Sequence, residues 1–246
     1  MASACGGPNV EQIRNSEREY DLGEGLWREQ NVGGAFQHLL RAVELDPDNG
    51  DAHFLLGHLF LFRSEHERAE RHYREALRAH GAAPRRASLP AEVHNALGVL
   101  FIHARRYDDA VRELRESTGD LMNREPAVAW TNLGWAYFEM GEHDEALRAL
   151  RQAVQLSREL CLAWYRMGQV YSAQEQWHPA EEALDRALSF PDESCQRLQV
   201  AWRLRGEVRA QQGHREEAIA DLERCAELDA DTDDGAACRR LLEQSP

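Results

Sequence analysis

Residues 130–153 read WTNLGWAYFEMGEHDEALRALRQA, and the spacing of four of them decides the fold. Gly134 is followed twelve residues later by Ala146, four beyond that by Leu150, and three beyond that by Ala153. The same ladder recurs along the chain. Its first rung is Gly23, Gly57, Gly98, Gly134, Gly168 and Gly206, and its second is Ala35, Ala69, Ala110, Ala146, Ala180 and Ala218. The third is Leu39, Tyr73, Leu114, Leu150, Leu184 and Leu222, and the fourth is Ala42, Ala76, Ser117, Ala153, Ala187 and Cys225. A four-position pattern met six times is a repeat, and repeats of this period signal stacked supersecondary units.

The spacing reads as two helices joined by a short turn, with small residues where the axes approach most closely. The Gly of the first helix is expected to face the Ala of the second. The large residue fills the wedge between them, and the last small residue makes room for the next unit. Met140-Gly141-Glu142 and Gln212-Gly213-His214 carry turn signals. Gly spacings of 34, 41, 36, 34 and 38 describe a 34-residue unit with insertions.

Composition narrows the class. The chain has 246 residues, 43% of them hydrophobic, with 43 acidic side chains against 29 basic ones and a formal net charge of −14. Every basic residue is Arg. Excess negative charge repels a phosphate backbone, so nucleic acid is not an expected partner. No apolar run approaches the roughly 20 residues of a membrane span.

The fourth unit resembles the tetratricopeptide (TPR) repeat, with Trp130, Leu133, Gly134, Tyr137, Gly141, Ala146, Leu150 and Ala153 at the family's positions. The sixth departs most, with Arg205 and Arg209 where Leu and an aromatic are usual. The resemblance implies an all-α, right-handed superhelical solenoid of six TPR helix-turn-helix repeats closed by a C-terminal capping helix. The units are placed at 16–49, 50–83, 91–124, 127–160, 161–194 and 199–232. Residues 1–15 serve as tether, 84–90 as an inter-repeat insertion, and 233–246 as the cap, with Cys238, Leu241 and Leu242 on one face. Both the insertion and the Thr118–Pro126 connection are expected as loops on one edge. A terminal unit needs a cap because it has no neighbour to cover its apolar side.

Ala2-Ser3-Ala4-Cys5 is similar to a bacterial lipobox that lacks its preceding apolar stretch, as though a start Met had replaced a signal peptide. Cys5 is then the lipidation site and Gly6 to Asn9 a tether; an Ala-rich start with an incidental Cys is the plainer alternative. The other cysteines, Cys161, Cys195, Cys225 and Cys238, cluster in the last third. An even count suits an oxidising compartment, and the repeat geometry favours Cys161–Cys195 and Cys225–Cys238. In that scheme Cys195 opens a lengthened first helix of the sixth unit. Four reduced, buried thiols acting as small hydrophobes are the alternative.

No catalytic constellation is present: the 11 His are scattered, with no HExxH, G-x-S-x-G, phosphate loop or dinucleotide fingerprint. Neither enzyme activity nor a cofactor nor a metal is expected. First helices of such units line a concave surface, which places Phe54, His58, Leu61, Phe62, Asn95, Ile102, Asn132, Trp135, Phe138, Tyr165 and Arg166 on a groove for a partner polypeptide. Packing between neighbouring first helices is the rival reading, evenly matched for Leu55 and Val99. The clamp of Lys, Asn and Arg by which co-chaperones hold heat-shock tails is incomplete. Asn132 and Arg166 fit it, but Asn95, Val99 and Leu162 leave both Lys positions unfilled.

The run Asp120-Leu121-Met122-Asn123-Arg124-Glu125-Pro126, leading into 129–137 (AWTNLGWAY), is similar to the matching segment of the PilF/PilW pilotins, outer-membrane lipoproteins of type IV pilus biogenesis. The closest likeness is to their Arg-rich form serving pilus-driven social motility. That resemblance implies a monomeric protein on the periplasmic side of the outer membrane, held there by lipid. It also implies a secretin subunit (PilQ) as partner, whose insertion and ring assembly the protein promotes.

Overall fold

A computed structural model describes residues 7–82 and 85–244, and among these the chain is a TPR-repeat solenoid of helices without strands. The lipidation site expected at Cys5 lies outside the described residues. Two compact units divide at Arg124 and Glu125.

The first unit holds three hairpins: α1 (Val10–Arg28) with α2 (Val32–Leu45), α3 (Gly50–Phe62) with α4 (His66–Ala82), and α5 (Leu89–His103) with α6 (Tyr107–Gly119). The second holds α7 (Pro126–Glu139) with α8 (His143–Leu156), α9 (Cys161–Ala173) with α10 (Trp177–Ser189), the single turn α11 (Glu193–Gln196), α12 (Gln199–Gln211) with α13 (Arg215–Leu228), and α14 (Asp233–Gln244).

One rule builds every hairpin turn. The residue seven places after each ladder Gly has a positive φ: Gln30, Ser64, Arg105, Gly141, Glu175 and Gly213, at 57–80°. The next N–H then bonds back to the carbonyl five residues earlier, as in Glu65 to Phe60 at 2.9 Å and Glu142 to Tyr137 at 2.9 Å. This is the left-handed helix stop that satisfies a terminal carbonyl. Only two of the six positions are Gly, so four turns carry a modest left-handed cost that the packing around them outweighs.

The ladder works slightly differently from the sequence expectation. A Cβ added at Gly134 would lie 2.6 Å from Leu150 Cγ, and one at Gly168 would lie 2.7 Å from Leu184 Cγ. Each ladder Gly therefore makes room chiefly for the large third-rung residue rather than for the Ala. Leu39, Tyr73, Leu114, Leu150 and Leu184 are wholly buried. Burying each such side chain contributes about 1.5–3 kcal/mol.

Three boundaries differ from expectation. Helix α1 begins at Val10 rather than 16, because Asn9 and Gln12 form a reciprocal capping box. In the 84–90 insertion, Leu89 and Pro90 already belong to α5; Pro in the first turn gives up no helical hydrogen bond. Of its described residues, Arg85 pairs with the buried Asp46, and Arg86 pairs with Asp51 of α3 and Glu92 of α5. Finally, Cys195 does not open a lengthened helix. It sits in the separate turn α11, started by the Asp192 cap, and α12 begins afresh at Gln199.

The second unit joins Cys161 to Cys195 and Cys225 to Cys238, with Cα separations of 5.6 and 6.2 Å. The first bridge ties α9 to the inserted turn, and the second ties α13 to the cap. Cys238 is buried and Leu241 and Leu242 are half-buried on the same cluster, packed with Leu222 and Trp202. Arg205 and Arg209 keep the helix register. Both reach Asp221 of α13, which is only 3% exposed, at 2.6 and 2.9 Å, and Arg209 also holds Glu181 of α10 at 2.7 Å.

Candidate functional site: the first-helix faces

The first helices α3, α5 and α7 are apolar over most of their circumference because they pack against their own partner and against neighbouring helices. On α5, Val93, Leu97, Leu100, Phe101 and Ile102 are all buried. The residues left open on these helices are the candidates for binding.

In the first unit, α3 presents Phe54, His58 and Leu61 half-buried and Phe62 66% exposed. The Phe54 ring lies edge-on to His58 at 4.5 Å, and the Tyr73 hydroxyl meets His58 Nδ1 at 3.1 Å. Phe62 packs edge-on against Trp27 of α1 at 5.6 Å. Trp27 was missed by the sequence reading, which drew no face on the first helix; its place four residues after Gly23 was the available signal. Asn95, on α5, is half-buried, as are Leu55 and Val99. Ile102 is 3% exposed and belongs to the core.

Charge frames this surface. Arg86 lies 5.8 Å from the Phe54 ring centroid while it pairs with Asp51 and Glu92. Tyr20 on α1 is pushed up to about 12 by burial, with Glu24 and Asp51 adding to the effect.

In the second unit, Trp135 of α7 is half-buried and its indole N–H donates to Glu139 at 3.0 Å. Arg166 of α9 sits 4.2 Å from the Trp135 ring centroid and donates to Gln169 at 2.8 Å. Burial lowers the Arg166 pKa below its ordinary value. Cation–π contact offsets part of that desolvation. Phe138 is half-buried and stacked on His143 at 5.8 Å. Asn132 is 9% exposed and Tyr165 6%; Tyr165 belongs to a core cluster with Cys161, Leu184 and Leu188.

The structure thus brings together Phe54 with His58, Phe62 with Trp27, and Trp135 with Arg166. It buries Ile102, Asn132 and Tyr165. The reason is geometric: a first helix has three packed sides, so a three- or four-residue spacing cannot tell the open side from a side facing the next hairpin. Among the described residues, no three His, Cys, Asp or Glu converge to hold a metal ion, and no helix is long and apolar enough to cross a membrane.

Tetratricopeptide-repeat models match residues 20–84, 54–121, 127–160 and 201–232, together well over half of the chain. The type IV pilus assembly protein PilF of Pseudomonas aeruginosa is 29% identical over 137 residues, covering 56% of this chain and 52% of that one. The chain therefore spans about half the length of that curated relative. The solved structure of Pseudomonas aeruginosa pilF superposes with a TM-score of 0.74 at 21% identity, over 94% of this chain and 99% of that one. PilW, a widely conserved type IV pilus biogenesis factor, gives 0.76 at 16% identity, over 90% and 97%. At these identities the two structures speak for the fold. The ladder, the shared turn and the matched residues make this chain a member of the tetratricopeptide-repeat family.

Proposed function

We propose that the protein is a pilotin of the PilF/PilW type, in its Tgl-like form. It captures secretin (PilQ-like) subunits on its first-helix faces and promotes their outer-membrane insertion and multimerisation for type IV pilus assembly and pilus-dependent motility. The observation that carries this reading is the similarity to PilF over 137 residues, on a chain whose first helices leave Phe62 exposed and Phe54, Trp135 and Phe138 half-buried. Exposed aromatic side chains favour a polypeptide ligand, since each gives a large contact area at small entropy cost.

Acyl chains on Cys5 would hold the protein at the periplasmic leaflet, each buried methylene contributing roughly 0.8 kcal/mol. Tethering raises the local concentration of a captured subunit without any new contact. The role is one of binding rather than catalysis.

The test has two arms. Lipid-free protein should co-purify with fragments of the secretin, and Phe62→Ala should abolish capture without loss of fold. In cells, Cys5→Gly should stop secretin rings from forming. Normal rings in that strain would remove the anchoring step, and absence of capture by any secretin fragment would remove the partner.

A further inference from the structure

Two imidazoles meet in the α3–α4 hairpin, and a third, His58, lies about a turn and a half farther along α3. His53 and His72 meet head-on, Nδ1 to Nδ1, at 3.0 Å. The other nitrogen of His53, Nε2, lies 3.2 Å from the Pro47 carbonyl oxygen, which can only accept. That contact assigns the tautomers. His53 carries its proton on Nε2, so its Nδ1 accepts from the Nδ1–H of His72. His72 is stacked on Phe60 at 5.0 Å, and the Arg68 guanidinium lies 4.1 Å from that same Phe60 ring. Further along α3, His58 Nδ1 and the Tyr73 hydroxyl share a hydrogen bond, with Phe54 edge-on beside it.

The surroundings favour neutral rings. His53 faces His72, Glu75 and Arg78 of α4 and Asp48 of the α2–α3 turn. His72 faces His53 of α3 and shares α4 with Arg68, Arg71 and Glu75. His58 faces Tyr73 of α4 and Glu92 of α5. Burial is the largest effect in each case. It lowers His53, and it takes His58 and His72 from 6.5 down to about 4. The charges of His53, Arg68 and Arg71 push His72 the same way.

Protonation changes the bonding. With the His72 Nδ1–H already lying between the rings, a first added proton goes to His72 Nε2 and leaves the bond in place, but a second, on His53 Nδ1, sets two donors against each other with no acceptor. At His58, the imidazolium has no acceptor left to offer the Tyr73 hydroxyl.

We propose that the α3–α4 hairpin is an acid-released latch on the partner-binding face of the first unit. It is closed while His53, His58 and His72 are neutral, and it opens as they take up protons, withdrawing Phe54 and His58 from a bound segment. The second half of this statement rests on the partner reading above; the latch itself does not. Because the folded values lie below the unfolded one, the hairpin's stability is complete above about pH 6.5 and falls away as pH drops towards 4. The second unit supplies the comparison, since His143 meets the Phe138 ring and His178 and His214 lie beside carboxylates rather than beside a second imidazole.

Amide hydrogen exchange on the full chain at pH 7.5 and 5.0, corrected for intrinsic rates, tests the latch. Protection of α3 and α4 should fall by at least about 30-fold relative to α7–α10, the factor for one histidine shifted from 6.5 to about 4. Replacing His58→Gln together with His72→Gln keeps neutral donors and acceptors and should shrink the pH dependence to what His53 alone contributes. If that variant fails to fold, the imidazole resonances of the unaltered protein decide, with midpoints expected below about 5.5. Equal protection at both pH values, or midpoints near 6.5, would overturn the latch. Secretin-fragment capture run in parallel separates the two ideas. Failure at both pH values strikes the partner reading alone; capture at pH 7.5 that persists undiminished at pH 5.0 overturns the release.

Discussion

The two units are built on one ladder but are secured by different chemistry. Among its described residues the first unit has no cysteine; what it adds to its packing is the paired imidazoles of α3 and α4 and the arginines of the 85–88 segment. The second is cross-linked twice and carries a buried carboxylate, Asp221, shared by two guanidinium groups. The contrast teaches that the ladder sets the geometry of a hairpin while leaving open what holds it to its surroundings. Where a repeat departs from the apolar pattern, as at Arg205 and Arg209, the departure is matched by acids on the neighbouring helices. Where it is interrupted, as at α11, a disulfide ties the interruption down.

The sharpest way to break that comparison is Asp221→Ala. It leaves the 11%-exposed Arg205 and the 17%-exposed Arg209 sharing only Asp185, whose side chain is 48% exposed. Removing one member of a buried ion pair costs about 3–5 kcal/mol. Thermal unfolding should show that loss, and hydrogen exchange should confine it to α10, α12 and α13. Destabilisation of less than about 1 kcal/mol would mean the network is solvated.

Reduction comes next. Closing a loop of 13 or 34 residues is worth roughly 3–4 kcal/mol in the chain-entropy picture. A phosphine reductant should therefore lower protection in α9–α14 while α1–α6 keep theirs. An equal loss in both units would erase the distinction.

Gly98→Ala probes what the units share. The added methyl would collide with Leu114, and overpacking of this kind costs about 1–3 kcal/mol. Chemical denaturation should register it in the first unit, as Gly168→Ala should in the second through Leu184. The smallest expected effect is that of Phe62→Ala on stability. With Phe62 66% exposed, the loss should stay under about 1 kcal/mol, whereas Tyr165→Ala, at a 6%-exposed site, should cost about 3–5. Comparable losses would place Phe62 in the core.

Much of the fold was legible in residue spacing because it follows from local rules. Gly134 and Leu150 stand sixteen apart in every unit, since two helices and a short turn leave no other way to bring a missing side chain opposite a large one. The cap was legible for the same reason, through Cys238, Leu241 and Leu242 on one face. The candidate site was legible only in part. Phe62 and Trp135 stand on open or half-open faces, yet Ile102 and Tyr165, chosen by the same periodicity, are core residues. Periodicity marks a face; it does not say which neighbouring helix covers it.

What the amino-acid sequence determined by itself is the repeat, its hairpins and the small residues at each closest approach, all of which arise from contacts between residues near in sequence. What only the tertiary structure decided is the use made of side chains that meet across hairpins. It paired Trp27 with Phe62, set Arg166 on Trp135, and joined Arg209 to Glu181 of α10. Such contacts depend on the angle between successive hairpins, which many residues fix jointly and no single spacing encodes.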